Sequence, residues 1–318
     1  MRVLLTGASG QLGQALQALA PTHLGDQPIE VLATSRRELD LADADACRAF
    51  VRHVRPDWVL NAGAYTVVDQ AEQQPQLANA VNHLAPAALA EAMAELSGDC
   101  GRFLQLSTDF VFDGQQVVPY PPDAPVAPLG VYGATKAAAE QAVLERLAPG
   151  QRAFVLRTSW AYGPVGHNFC RTMLRLHAER MSAARPIHVV ADQLGCPTST
   201  SGLAAACWQL ISLSTNGACL PPILHWSDDG TASWYDFALA IGELGVTSGL
   251  LAQAAPVIPI TTEQYPTRAL RPSYSVLDCA ASRVALEMQP HHWRVALQHV
   301  LQKIRSTEQS PHTLAGSA

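Results

Sequence analysis

Tyr132 and Lys136 stand four residues apart in VYGATKAAAE, and of the 21 basic side chains in the chain only two are lysines. On a helix, side chains at i and i+4 share a face, with Cβ atoms roughly 5–6 Å apart. An ammonium that close to a phenol favours the phenolate and lowers the phenol's pKa. The spacing therefore predicts an acid catalyst beside a cation. The plain alternative is a surface helix carrying an incidental pair.

The first residues strengthen the chemical reading. Arg2-Val3-Leu4-Leu5 is a short apolar run that ends in Thr6-Gly7, after which Gly7, Gly10 and Gly13 recur every third position. A helical period follows, with Leu12, Leu16 and Leu19 on one side. Strand, glycine turn and helix make a phosphate-binding arrangement. Glycines let the backbone turn tightly and approach a pyrophosphate, and the helix N-terminus offers N–H donors and the positive end of its dipole. Starting this early, the strand leaves no room for a signal peptide.

Elements of both kinds must position these residues. Apolar runs predict strands at 3–6, 30–34, 58–61, 102–107 and 153–157, separated by helices at 11–20, 44–54, 85–95 and 132–147. Strand and helix in alternation imply an α/β fold, a doubly wound parallel sheet covered on both faces. Ligands of such sheets gather at the carboxyl ends of the strands. The chemistry-bearing residues fall there: Gly7 to Gly13, Arg36, Ala62 to Tyr65, and Thr108. Beyond about residue 160 the alternation loosens and proline becomes frequent, which predicts a dinucleotide-binding domain over 1–160. Residues 161–305 then read as a smaller C-terminal substrate-binding portion interleaved with late sheet elements, and 306–318 as a disordered tail.

Composition bounds the partners. With 318 residues and 48% hydrophobic content the chain has enough apolar material for a substantial core. A net charge of −6 argues against a nucleic acid as the main partner. No apolar stretch reaches the roughly 20 residues that span a bilayer. The seven cysteines (Cys47, Cys100, Cys170, Cys196, Cys207, Cys219 and Cys279) are scattered, with no C-x-x-C pair. Reduced thiols in a cytoplasmic protein are the natural reading, and a zinc site is not expected.

TGASGQLG at 6–13, NAGAYTVVDQAE at 61–72, LSTDFVFDG at 106–114 and YGATKAAAE at 132–140 together resemble the extended short-chain dehydrogenase/reductases. More narrowly the chain resembles the dTDP-4-dehydrorhamnose reductases, which reduce a 4-keto sugar nucleotide in the last step of dTDP-L-rhamnose synthesis. That narrower likeness continues through RTSWAYG at 157–163, HNFCRTMLRL at 167–176, DQLGCPTSTSGLA at 192–204 and YPTRALRPSYSVLD at 265–278.

The resemblance implies a Rossmann-like fold and a catalytic triad of Thr108, Tyr132 and Lys136. Reducing a ketone needs a hydride and a proton for the developing alkoxide, and Tyr132 is the donor of that proton. A free tyrosine, with a pKa near 10, is a poor acid at neutral pH. Lys136 is there to stabilise its phenolate. Thr108 orients the carbonyl oxygen. Ser107 is its rival, and strand alternation sends the two to opposite faces.

For the cofactor the resemblance implies NADPH, with NADH also usable. Gly7, Gly10, Gln11, Leu12 and Gly13 surround the pyrophosphate, Asp40 and Leu41 reach the adenine, and Ala62, Gly63, Ala64 and Tyr65 form the floor. An NAD-specific site carries an acidic residue at the end of the second strand. This chain has Ala33-Thr34-Ser35-Arg36-Arg37 there. Ser35 and Arg36 would then meet the 2′-phosphate, the other reading being that Arg36 and Arg37 are solvated loop charges.

On the substrate side the resemblance points to Val67, Thr108, Asp109, Phe110, Trp160, Asn168 and Arg271, the last a bidentate donor to the nucleotide pyrophosphate. Three departures from the family pattern stand out. Leu270 occupies a position where relatives carry a second arginine, and Phe110 replaces a common tyrosine. Ala15 stands near a glutamate with which some members hold a divalent cation at a homodimer interface, so no metal is expected.

Two other readings use the same residues. A sugar-nucleotide epimerase or dehydratase shares the glycines and the Tyr/Lys pair, but a dehydratase of this superfamily needs adjacent Asp and Glu, and here Asp109 is followed by Phe110. A non-catalytic NADP-binding regulatory subunit would serve a partner enzyme instead, and the intact Thr108, Tyr132 and Lys136 speak against it.

Overall fold

The computed structural model describes residues 1–96, 101–147 and 151–309. Six strands form the central sheet: β1 (Arg2–Thr6), β2 (Glu30–Thr34), β3 (Trp58–Asn61), β4 (Arg102–Thr108), β5 (Ala153–Thr158) and β6 (Ile223–His225). They lie in the order β6-β5-β4-β3-β1-β2, and every neighbouring pair is parallel. From β1 the chain steps outward to β2, then returns past β1 to β3. The strand order thus reverses between β1 and β3, the kind of switch point where such sheets bind ligands.

The principal helices are α1 (Gln11–Ala18), α2 (Ala44–Val54), α3 (Ala85–Glu95), α4 (Val131–Leu147), α5 (Phe169–Ser182), α6 (Thr200–Thr215), α7 (Trp234–Thr247) and α8 (Trp293–Gln309). Alternation along the strands sends Leu4, Val59 and Phe103 into one core with α2, α3 and α4. Val3, Leu5, Leu60 and Leu104 go to the opposite face, against α1 and α6. Leu60 is fully buried, so truncating it to alanine should cost about 2–5 kcal/mol.

The second half of the chain therefore completes the first. Residues beyond 160 supply β6 and α6, and the Trp208 indole of α6 donates to Leu16 O of α1 at 2.9 Å. The remaining segments form a second lobe. Here α5, α7 and α8 pack Met173, Phe237, Ile241, Trp293 and Leu297 around a parallel ribbon of Ile187–Val190 and Val257–Ile260.

Differences from the sequence expectation are mostly at element ends. α1 stops at Ala18, α4 begins at Val131, and β1, β4 and β5 each gain one residue. Residues 306–309, expected to begin a tail, instead finish α8. The apolar stripe Leu297, Val300, Leu301 and Ile304 anchors that helix, and propagation of its hydrogen bonds carries it one turn further. The rest of the expected tail, and Cys100, lie outside the described residues. Ahead of α3 runs an unexpected π-helical turn, Ala80–Leu84.

Candidate active site

A cleft of about 500 Å³ opens over the carboxyl ends of β1, β3 and β4. Gly7, Gly10, Gln11, Leu12 and Gly13 form one wall. The glycines there are required by packing. Gly7 has φ +67° and its Cα side faces Gly63, where a Cβ would come within 2.5 Å of the Gly63 Cα. A Cβ on Gly13 would meet Gly7 O at 2.2 Å. At Gly10 it would meet only Gly7 O, at 3.2 Å. First and third glycines thus close the turn against the sheet and helix, while the second leaves room for a ligand, as a dinucleotide pyrophosphate needs.

Polar side chains hold the floor. Thr6 Oγ1 donates to Asn61 Oδ1, and Asn61 Nδ2 donates to Gln105 Oε1 at 2.8 Å, a buried row across β1, β3 and β4. Gly63 N–H donates to Thr6 Oγ1 at 3.2 Å, which fixes the loop that carries Ala62, Gly63 and Ala64. Asn82, in the π-helical turn, accepts from Tyr65 N–H at 2.7 Å and donates to Thr135 Oγ1 on α4 at 3.2 Å. One fully buried amide thereby ties the floor to the helix of Tyr132 and Lys136.

Tyr132 and Lys136 both line this cleft, as does Ser107. Thr108 ends β4, donates to Asp109 Oδ1 at 3.0 Å, and accepts from Phe110 N–H at 3.2 Å. Ser107 lines the cleft and donates to Glu140, whereas Thr108 is not among the lining residues. Burial pushes the Tyr132 phenol up to about 12; the Thr108 side chain works against that rise and the charge of Asp109 adds to it. The spacing argument anticipated a phenol lowered by Lys136. Removal from water outweighs that effect here, and the Lys136 ammonium donates instead to Leu106 O at 2.6 Å. Burial brings Lys136 itself down to about 8, opposed by Glu140.

Asp109 is 2% exposed and its Oδ2 has no partner. Burial raises its carboxyl to about 7, against hydrogen bonds from Ser275 and Thr108. Phe110 meets Tyr132 edge-on, ring centroids 6.0 Å apart, and lines a small recess with Val68, Leu129 and Leu270.

At the far end of the cleft stand Arg36, Asp40 and Leu41. Arg36 is 76% exposed and only loosely paired to Asp40, at 3.6 Å. Ser35 departs from expectation: its hydroxyl and its N–H both donate to Glu38, so it does not line the cleft.

A second cleft, about 900 Å³, lies in the other lobe between α5, the Ile187–Val190 strand, Trp234 and Tyr265. Arg180, Arg185, His188 and Arg271 give it a basic lining. Arg271 reaches it with Nη1 buried and unpartnered while Nη2 holds Asp69 at 2.8 Å.

Of the seven expected substrate residues only Arg271 lines either cleft; Thr108, Asp109 and Phe110 lie at the end of β4 and in the turn after it, and the other three sit elsewhere. Trp160 lies flat on Trp234, centroids 3.5 Å apart, and lines neither cleft. Asn168 is consumed by its own loop: it caps α5 through Arg171 N–H and donates to Gln11, Gly163 O and Val165 O. Val67 is half exposed just ahead of the short helix Val68–Ala71 and lines neither cleft.

Residues 1–306 match the family model described as RmlD substrate binding domain. The chain belongs to the RmlD substrate binding domain family. Among the relatives it resembles is the dTDP-4-dehydrorhamnose reductase of Aggregatibacter actinomycetemcomitans, 38% identical over 300 residues, which are 94% of this chain and 98% of that protein. The protein of the same name from Streptomyces griseus is 40% identical over 296 residues, 93% of this chain and 91% of the relative. A crystal structure of dTDP-4-dehydrorhamnose reductase from Bacillus anthracis in complex with NADP superposes with a TM-score of 0.81. It is 33% identical, covering 95% of this chain and 99% of that one.

In this member of the RmlD substrate binding domain family the glycine turn and the Tyr/Lys helix form two sides of the cleft, which has further walls. Leu77 and Val81 come from the helical segment before α3, Thr158 from the end of β5, and Ala161, Gly166, His167 and Leu203 from the chain after it. Their local sequence carries no signal of this, because only the fold of the second half over the first brings them to the site. The floor amides Asn61 and Asn82 had a partial signal, a polar residue inside an otherwise apolar segment.

Proposed function

We propose that this chain catalyses the NADPH-dependent reduction of the 4-keto group of dTDP-4-dehydro-L-rhamnose to give dTDP-L-rhamnose. The observation that carries the reading is the placement of Tyr132 and Lys136 together in a glycine-walled cleft. The relatives' shared name supplies the substrate, and the NADP of the Bacillus anthracis structure supplies the cofactor.

When bound along the glycine wall, the dinucleotide supplies the hydride. Tyr132 gives its proton to the ketone oxygen as charge develops there. Thr108 stabilises that oxygen by a hydrogen bond. Lys136 carries the compensating positive charge, at a depth where charges act strongly on one another. The basic second cleft takes the nucleotide, with Arg271 Nη1 free to donate to a phosphate. Six free cysteines among the described residues accord with a cytoplasmic setting.

The test is a coupled assay. The protein is added to dTDP-4-keto-6-deoxyglucose and its 3,5-epimerase, and NADPH oxidation is followed by absorbance. Oxidation that requires the sugar nucleotide, with dTDP-L-rhamnose formed, is the expected result; no oxidation above the protein-free control would reject the reading.

A further inference from the structure

Behind Lys136 lies a buried ionic cluster that the proposed reduction does not itself consume. Glu140 is one turn further along α4 and 4% exposed. Arg157 of β5, 2% exposed, grips its carboxylate as a fork, Nε to Oε1 at 3.0 Å and Nη2 to Oε2 at 2.7 Å. Ser107 donates to the same Oε1. Arg157 Nη1 donates to Pro122 O at 3.0 Å, and the guanidinium stands 5.1 Å from the Phe112 ring centroid. Such a pair seldom stabilises a fold more than apolar side chains of the same volume. Its position has a stronger claim to explain it.

Lys136 is 3% exposed, and its ammonium donates to one neutral acceptor, Leu106 O. A cation so enclosed tends to give up its proton. Tyr132 and Glu140 flank it at i−4 and i+4 on its own helix, and behind Glu140 stand Arg157 of β5 and, 3.3 Å from Arg157 Nη1, His225 of β6. His225 is kept neutral, drawn down to about 3 by burial and by Arg157. Glu140 is the group whose charge favours the ammonium.

We propose that Glu140 is a positioning residue: clamped by Arg157 and Ser107 one turn along the same buried face of α4, its carboxylate is the fixed counter-charge of Lys136. The consequence for turnover rests on the reductase reading. The electrostatic statement concerns the protein alone.

The lysine count provides the test. Lys136 and Lys303 are the only lysines, so protein labelled with 13C at the lysine ε-carbon shows two resonances, the exposed Lys303 acting as internal control. In E140Q the Lys136 titration should move down by about one pH unit or more, while E140D stays near wild type. Since E140Q leaves Arg157 without a counter-charge and can unfold the chain, E140Q/R157M is run beside it. Both charges are then absent, and a downward movement in the same direction but smaller than in E140Q is expected.

A role confined to packing would lower the melting temperature and leave the Lys136 titration in place. Lys136 titrating at the wild-type pH in both variants would overturn the proposal. In turnover, the alkaline limb of kcat/KM should move in the same direction. A wild-type protein without turnover would sink the reductase reading and leave the lysine titration standing as its own measurement.

Discussion

Thr108 donates to Asp109 Oδ1 at 3.0 Å, whereas Ser107, its neighbour on β4, turns its hydroxyl to Glu140 on helix α4. Adjacent residues of one strand thus serve two charge systems, because successive side chains leave a strand on opposite sides. Thr108 joins Asp109 and Ser107 the buried ion pair.

Tyr132→Phe keeps the ring and its edge-on contact with Phe110 but removes the proton donor. The rate of NADPH oxidation should fall at least about a hundredfold, the lower end of what a general acid contributes. NADPH affinity, followed by nucleotide fluorescence, should change little. Turnover at the wild-type rate would eliminate Tyr132 as the acid.

Lys136→Met should impair two things together, since it removes a buried cation that faces both the phenol and the cofactor wall. Both kcat and NADPH affinity are expected to drop, each by roughly tenfold or more. Lys136→Arg restores charge but spreads it over a planar fork, so rescue should be partial. Steady-state kinetics with a binding titration separate the effects; normal values of both in Lys136→Met contradict the assignment.

Arg36 is mostly exposed and 3.6 Å from Asp40, too loosely held to be a structural pair. If it meets the 2′-phosphate, Arg36→Ala should weaken NADPH by about 1 kcal/mol or somewhat more and leave NADH nearly unchanged. The double change with Arg37→Ala should enlarge the difference. Equal losses for the two cofactors would mean that the arginines support the loop and do not read the phosphate.

Asp109 offers a test by pH. Burial raises its carboxyl from 3.8 to about 7 in the folded chain, so between those values the folded state binds more protons than the unfolded one. Its contribution to stability is therefore full below about pH 4 and is lost as pH rises through about 7. Asp109→Asn removes that loss. Relative to wild type, the variant should gain on the order of a few kcal/mol between pH 4 and pH 8 in urea melts. Asp228, also raised to about 7 by burial, titrates equally in both proteins and cancels in the difference. A difference that is flat with pH would show that Asp109 is not the titrating group.

Much of the fold was legible because it is written in local spacing. The five longer strands and the helices α2 and α3 follow from apolar periodicity over windows of a few residues, and the glycine turn from spacing alone. β6 was not legible. Ile223–His225 is three residues long after two prolines, too short for any period, and it is a strand only because it pairs with β5.

The site divides in the same way. Sequence by itself determined the glycine wall, the Tyr132 and Lys136 face of α4, and the arginines after β2, since each depends on residues within a turn or two of one another. Tertiary structure alone decided that Trp160 stacks on Trp234 and that burial raises the Tyr132 phenol despite its lysine. Both outcomes depend on which partner or how much water a side chain meets after folding, and Trp234 lies far from Trp160 along the chain, whereas the contacts that take up Ser35 and Asn168, with Glu38 and Arg171 N–H, are only three residues away.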